Sequence, residues 1–155
     1  MRAQLDEDSV IKANGQFWEQ MLAMTLEPMP RAGEFSVSAG HLWGGVGLSG
    51  AWQGRIEVRL TGALAYEATA AMMMQSLDTV GEADALDATK EIANMIAGTI
   101  KSSLPRPCSM TVPNSSVEQQ PFSAPAESLS TLTVAFRHAS GQLMVRISEQ
   151  DGVAS

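Results

Sequence analysis

The chain has 155 residues, 45% of them hydrophobic, and a formal net charge of −7. That length suits one domain with a real core, expected over 1–155 with its packed part at about 8–149 and frayed ends. The acidic balance excludes a nucleic-acid binder, which needs clustered Lys and Arg, and disfavours an anionic membrane surface. A single cysteine, Cys108, excludes an internal disulfide and a multi-cysteine metal site.

In chain order, the first segment, Met1 to Asp8, is acidic and polar, unlike a signal peptide. No apolar run approaches the ~20 residues that span a bilayer. The expectation is a cytoplasmic protein without membrane insertion. Asp8 or Ser9 can cap a first helix, in which Val10, Ala13, Phe17, Met21 and Met24 recur at helical steps to about Leu26. Pro28 and Pro30 end it.

A β section follows. Phe35, Val37 and Ala39 alternate with serines, and Leu42, Gly44, Val46 and Leu48 alternate after them. Ser49 to Gly54 reads as a turn. The next strand places Ile56, Val58 and Leu60 inward and Arg55, Glu57 and Arg59 outward. Ala63 to Leu77 reads as a helix rich in Ala and Met, with Met72, Met73 and Met74 as core filler. Gly81 breaks the chain before a long helix from about Ala83 to Ser103, which Pro105 stops.

The proline-punctuated stretch that follows predicts a strand over about 109–112 and then a loop. Leu132, Val134 and Phe136 form one strand and Leu143, Val145 and Ile147 another, joined by a hairpin turn at His138–Gly141. The order α-β-β-α-α-β-β-β predicts an α+β fold, an antiparallel sheet with long helices packed on one face.

Most chemical motifs are absent. Gly44-Gly45-Val46-Gly47 matches neither a dinucleotide nor a Walker pattern, so close packing explains it better. His41 and His138 are the only histidines, with no metal-ligand spacing around them, and no Gly-x-Ser-x-Gly elbow exists. No metal or cofactor is therefore expected in this chain. Cys108 reads as structural. Trp18, Trp43 and Trp52 read as core or dimer-interface residues rather than a stacking platform.

The long helix is different. At roughly 100° per residue, Leu86, Thr89, Ile92, Ala93, Ile96, Ile100 and Leu104 share one side. Asp84, Asp87, Lys90, Glu91, Asn94, Gly98 and Lys101 share the other, with Met95 at the border. Asn94 is a weak helix former, and Gly98 costs about 1 kcal/mol relative to alanine. A solvated face is the plain explanation of such a polar stripe. Two weak helix formers on that face point instead to contact with another macromolecule.

The run Glu91-Ile92-Ala93-Asn94-Met95-Ile96-Ala97-Gly98, followed by Lys101 and Leu104-Pro105, resembles the Glu-x-x-Asn-x-x-x-Gly signature of the CheC/CheX chemotaxis phosphatases. Gly50-Ala51-Trp52-Gln53-Gly54-Arg55-Ile56-Glu57-Val58 resembles that family's Gly-x-x-Gly entry to its second strand. The resemblance implies removal of phosphate from the aspartyl phosphate of a CheY-like response regulator. It casts Asn94 as the residue that orients the attacking water and Glu91 as the partner of the regulator's active-site lysine. Lys90, Met95, Gly98 and Lys101 become partner contacts, and the Mg2+ belongs to the regulator.

Two departures are visible. Thr99 stands where many members have asparagine, and Ile11 stands three residues before Asn14, so the first helix lacks a second Glu-x-x-Asn. One site per chain implies the CheX type and, by analogy, a homodimer. The stretch from Pro113 to Ser130 is expected as an atypical loop. The alternative reading on the same scaffold is a non-enzymatic module that binds a response regulator or a flagellar-switch component.

Overall fold

A computed structural model of the chain describes residues 5–125 and 128–150. In chain order the elements are α1 (Glu7–Leu22), β1 (Glu27–Pro28), a 3-10 turn (Ala32–Glu34), β2 (Ser36–Val37), β3 (Leu42–Gly50) and β4 (Gly54–Leu60). There follow α2 (Gly62–Met73), a second 3-10 turn (Leu77–Thr79), α3 (Glu82–Lys101), β5 (Cys108–Met110) and β6 (Asn114–Val117). The chain then forms β7 (Phe122–Ser123), β8 (Thr131–His138) and β9 (Gly141–Glu149). The expected fraying of the ends falls on residues 1–4 and 151–155, outside the described residues.

The expected α+β architecture is present. One antiparallel sheet runs β1-β8-β9-β4-β3-β5, with β6 also paired to β3. The alternation read from β4 holds: Ile56, Val58 and Leu60 are fully buried and face the helices. On the same face lie Leu42, Val46 and Leu48 of β3, Val134 and Phe136 of β8, and Leu143, Val145 and Ile147 of β9. Helix α3 brings Ile92, Ala93, Ile96, Ala97 and Ile100 down onto this layer, and Trp18 and Leu22 of α1 complete it. Burying an aliphatic side chain here contributes roughly 1.5–3 kcal/mol.

Gly44 of β3 shows why the strand is glycine-rich. A Cβ there would meet the Thr89 carbonyl oxygen of α3 at 2.9 Å, so the bare backbone lets helix and sheet approach. A Cβ on Gly45 would run into the Trp43 indole on the opposite face.

That opposite face carries a smaller core of Met29, Phe35, Val37, Ala135 and Met144, covered by the two-stranded ribbon β2–β7. Arg59 ties the ribbon to the sheet. Its guanidinium lies 3.9 Å from the Phe122 ring centre, donates to His41 Nε2 at 2.9 Å, and pairs with Glu118 at 3.3 Å. Since an arginine only donates, His41 accepts through Nε2 and donates through Nδ1 to the Ser38 carbonyl at 2.9 Å.

Several boundaries differ from the sequence reading. α1 stops at Leu22 because Ala23 turns left-handed (φ 54°) and donates its N–H to the Glu19 carbonyl. Met24 and Leu26 are core residues beyond the helix, and Met21, read as inward, is 59% exposed. α2 ends at Met73, and Leu77 belongs to a separate 3-10 turn.

The methionine run is not core filler as a whole. Met74 sits left-handed at the end of α2 and is 93% exposed. Of the Phe35–Ala39 alternation only Ser36 and Val37 form a strand, and it pairs with β7 rather than with the main sheet. The stretch read as a loop after Val112 contains β6, aligned on β3 with Trp43 opposite Ser116, and β7.

Candidate functional site

Helix α3 is the platform. It starts where Asp84 accepts a hydrogen bond from the Gly81 N–H at 3.1 Å. The Thr89 hydroxyl, buried on the sheet side, donates to the Ala85 carbonyl at 2.8 Å. With its apolar side locked to the core, the other side has one possible direction, outward. Glu91 is exposed and Asn94 half-exposed. Neither side chain takes part in a hydrogen bond or ion pair among the described residues.

Glu91, Asn94, Gly98 and Lys101 fall at i, i+3, i+7 and i+10, one stripe about 15 Å long at 1.5 Å per residue. The stripe begins with a carboxylate, passes through a carboxamide and bare backbone, and ends with an ammonium group. A Cβ added at Gly98 would meet nothing within 4 Å. Packing inside this chain therefore gives no reason for a glycine at that place, in contrast to Gly44.

The remaining residues singled out from sequence are placed as follows. Lys90 is half-buried and lies 4.0 Å from Asp87 across an exposed i,i+3 pair, so it is not free. Such pairs contribute about 0–1 kcal/mol. Met95 packs partly on the core. Its outer side lines a groove of about 510 Å3 between α1 and α3, together with Gln16, Gln20, Met21, Gly98 and Thr99. Lys101 and Gly98 line a second groove, of about 500 Å3, with Ser102, Arg106, Pro107 and Cys108. The stripe is thus a ridge between two grooves.

Sequence reasoning missed the α1 wall of the first groove and Arg106 in the second. The only signal for Arg106 is charge: no carboxylate lies between Glu91 and Glu118.

Asn14, by contrast, turns inward. It is 1% exposed, donates to the Val10 carbonyl at 2.9 Å, and sits against Ile96, Thr99 and Ile100. It offers no second site on α1. Cys108 is buried, with its thiol 3.5 Å from the Trp52 carbonyl. Trp18 and Trp52 are core residues, while Trp43 lies half-buried on the other sheet face and donates to Glu57 at 2.9 Å. Among the described residues no group of three or more His, Cys, Asp or Glu could hold a metal, and no helix is long and apolar enough to cross a membrane.

An antiparallel sheet backed by helices on one face is an architecture shared with solved CheC/CheX-type chemotaxis proteins. The crystal structure of the chemotaxis protein CheX from Vibrio vulnificus is similar over 97% of this chain and 100% of that one, with a TM-score of 0.73 at 18% identity. A CheC-like superfamily protein from Shewanella sp. PV-4 is similar over 92% and 96%, with a TM-score of 0.72 at 17% identity. The CheX–CheY–BeF3–Mg2+ complex from Borrelia burgdorferi is similar over 93% and 97%, with a TM-score of 0.67 at 17% identity. Among curated proteins none has a matching sequence.

The family model described as chemotaxis phosphatase CheX matches residues 42–137, more than half of the chain. This protein belongs to the CheX family of chemotaxis phosphatases.

Proposed function

We propose that this chain hydrolyses the aspartyl phosphate of a CheY-like response regulator. Asn94 enters the regulator's active site and orients a water for in-line attack on phosphorus. The water oxygen forms the new bond to phosphorus and the bond to the aspartyl oxygen breaks. The products are inorganic phosphate and the restored carboxylate. A carboxamide suits this task because it offers both a donor and an acceptor without being a base. Placement and electrostatics account for most of phosphoryl-transfer catalysis.

Glu91, one turn earlier, pairs with the regulator's lysine and sets the register. The Mg2+ is the regulator's. The complex of a CheX with a CheY in Borrelia burgdorferi supports the choice of partner. A cytoplasmic location and a homodimer belong to the same reading.

One observation carries the proposal. Glu91 and Asn94 project together from a rigid helix, unengaged, beside a glycine that the chain's own packing does not need. The test uses CheY-type regulators encoded in the same genome, phosphorylated with acetyl phosphate and Mg2+, with loss of phosphate followed over time. Wild-type protein should accelerate the loss, and Asn94→Ala should reduce that acceleration about 10²–10³-fold, as removal of one positioning hydrogen-bonding group does elsewhere. Stability should hold or rise by up to about 0.7 kcal/mol, because the side chain has no internal partner and alanine is the better helix former. No acceleration by the wild type against any of these regulators sinks the proposal. Regulator binding that survives Asn94→Ala, with phosphate lifetime unaltered by either protein, favours the non-enzymatic module.

A further inference from the structure

The groove on one flank of the stripe has a chemistry of its own. In a chain of net charge −7, residues 92–117 contain Lys101 and Arg106 and no carboxylate. Lys101 is half-buried and Arg106 exposed, and both line the groove of about 500 Å3 that begins at Gly98. Neither forms an ion pair among the described residues; the same holds for Lys12, Arg31, Arg137 and Arg146, but Lys101 and Arg106 share the wall of one groove. The C-terminal dipole of α3 accounts for a cation at Lys101. It does not account for Arg106, which lies beyond the helix and after Pro105.

Resting on the partner reading above, we propose that this groove seats an acidic segment of the response regulator. Lys101 and Arg106 bind its carboxylates. Lys101 is seven residues from Asn94, about 10 Å along the helix and nearly in phase with it. The stripe is therefore polarised, negative at Glu91 and positive at Lys101. A partner that offers a cation to Glu91 and an acidic segment to the groove fits in one direction and is repelled in the other. Complementary charge of this kind sets orientation and association rate more than it sets the chemical step.

The experiment compares the full-length wild type with Lys101→Glu/Arg106→Glu, using a phosphorylated regulator from the same genome at low and high salt. An Arg31→Glu variant, on the ribbon side of the molecule, is the charge control. The double variant should raise KM about tenfold at low salt and leave kcat within about twofold, while the control changes neither. Wild-type KM should climb with salt toward that of the variant. Should charge reversal unfold the chain, Lys101→Ala/Arg106→Ala gives the same direction at about threefold.

An unchanged KM, or a fall in kcat alone, overturns the inference. So does loss of self-association in the double variant, which would assign the groove to a second copy. If the wild type binds the regulator without dephosphorylating it, the phosphatase reading fails. The groove then stands or falls on whether that binding is salt-sensitive and lost on charge reversal.

Discussion

At Glu118 three contacts converge. Its carboxylate accepts from the Ser116 hydroxyl at 2.6 Å and from Arg59 at 3.3 Å, and its backbone N–H donates to the His41 carbonyl at 2.8 Å. The Ser116 hydrogen bond, with help from the Arg59 charge and against the cost of partial burial, holds its pKa below the ordinary glutamate value. A carboxylate that binds its proton less tightly when folded stabilises the folded state above its unfolded pKa. It loses that contribution as pH falls through the lowered, folded value. Glu118→Gln should therefore weaken the protein at neutral pH by less than about 1 kcal/mol, since the pair is partly solvated. Urea melts of the two proteins should converge once the pH lies below the folded pKa of Glu118. A gap that persists in acid would mean that shape, not charge, holds the ribbon.

Helix α3 is an element whose sequence serves two masters. Its inner face is optimised for the core, while its outer face keeps a glycine with open space around it. Gly98→Ala should raise stability by about 0.5–1 kcal/mol, because alanine is the better helix former and its methyl meets no atom. For a chain of this size that is a rise in Tm of about 2–4 °C per kcal/mol in a calorimetric scan. On the docking proposal the same change raises KM for the regulator, so stability and function should move in opposite directions. A destabilised Gly98→Ala protein would show that the glycine serves the fold after all.

The same helix explains what could be read from sequence. Glu91, Asn94, Gly98 and Lys101 lie on one element, so a 3.6-residue period was enough to align them. β4 was equally legible, because Ile56, Val58 and Leu60 alternate without interruption. β6 was not. Asn114-Ser115-Ser116-Val117 has no apolar alternation, and it is a strand because β3 offers it an edge and Ser115 donates to the Leu86 carbonyl of α3 at 2.8 Å. The stop of α1 at Ala23 and of α2 at Met74 was hidden for a related reason. Both residues take the left-handed conformation that glycine usually marks. Arg106 escaped because it reaches the stripe through the turn after α3, a neighbour in space rather than in helical phase.

At the scale of the whole molecule β8 is the last long strand on its side of the sheet, with only the two residues of β1 beyond it. β1 pairs with Arg137 and Phe136, and the Met29 N–H donates to the Ala135 carbonyl at 2.8 Å. The backbone of Ala135 thus points away from β9, and by the two-residue period of a strand so does that of Thr133. Thr133 lies beyond the two residues of β1 yet is only 2% exposed, and the Thr131 N–H is taken by the Ser128 carbonyl at 3.3 Å. The chain thus covers this edge itself, as folded proteins commonly cover the edge of a sheet. Thr133→Pro tests that cover. Its N–H faces away from β9, so proline leaves the β8–β9 ladder intact, but the ring must enter a buried site. The variant should keep its circular dichroism and lose about 1–3 kcal/mol in a urea melt, the usual cost of overfilling a packed site. An unchanged midpoint would mean that the edge at Thr133 has room to spare and is not closed by packing.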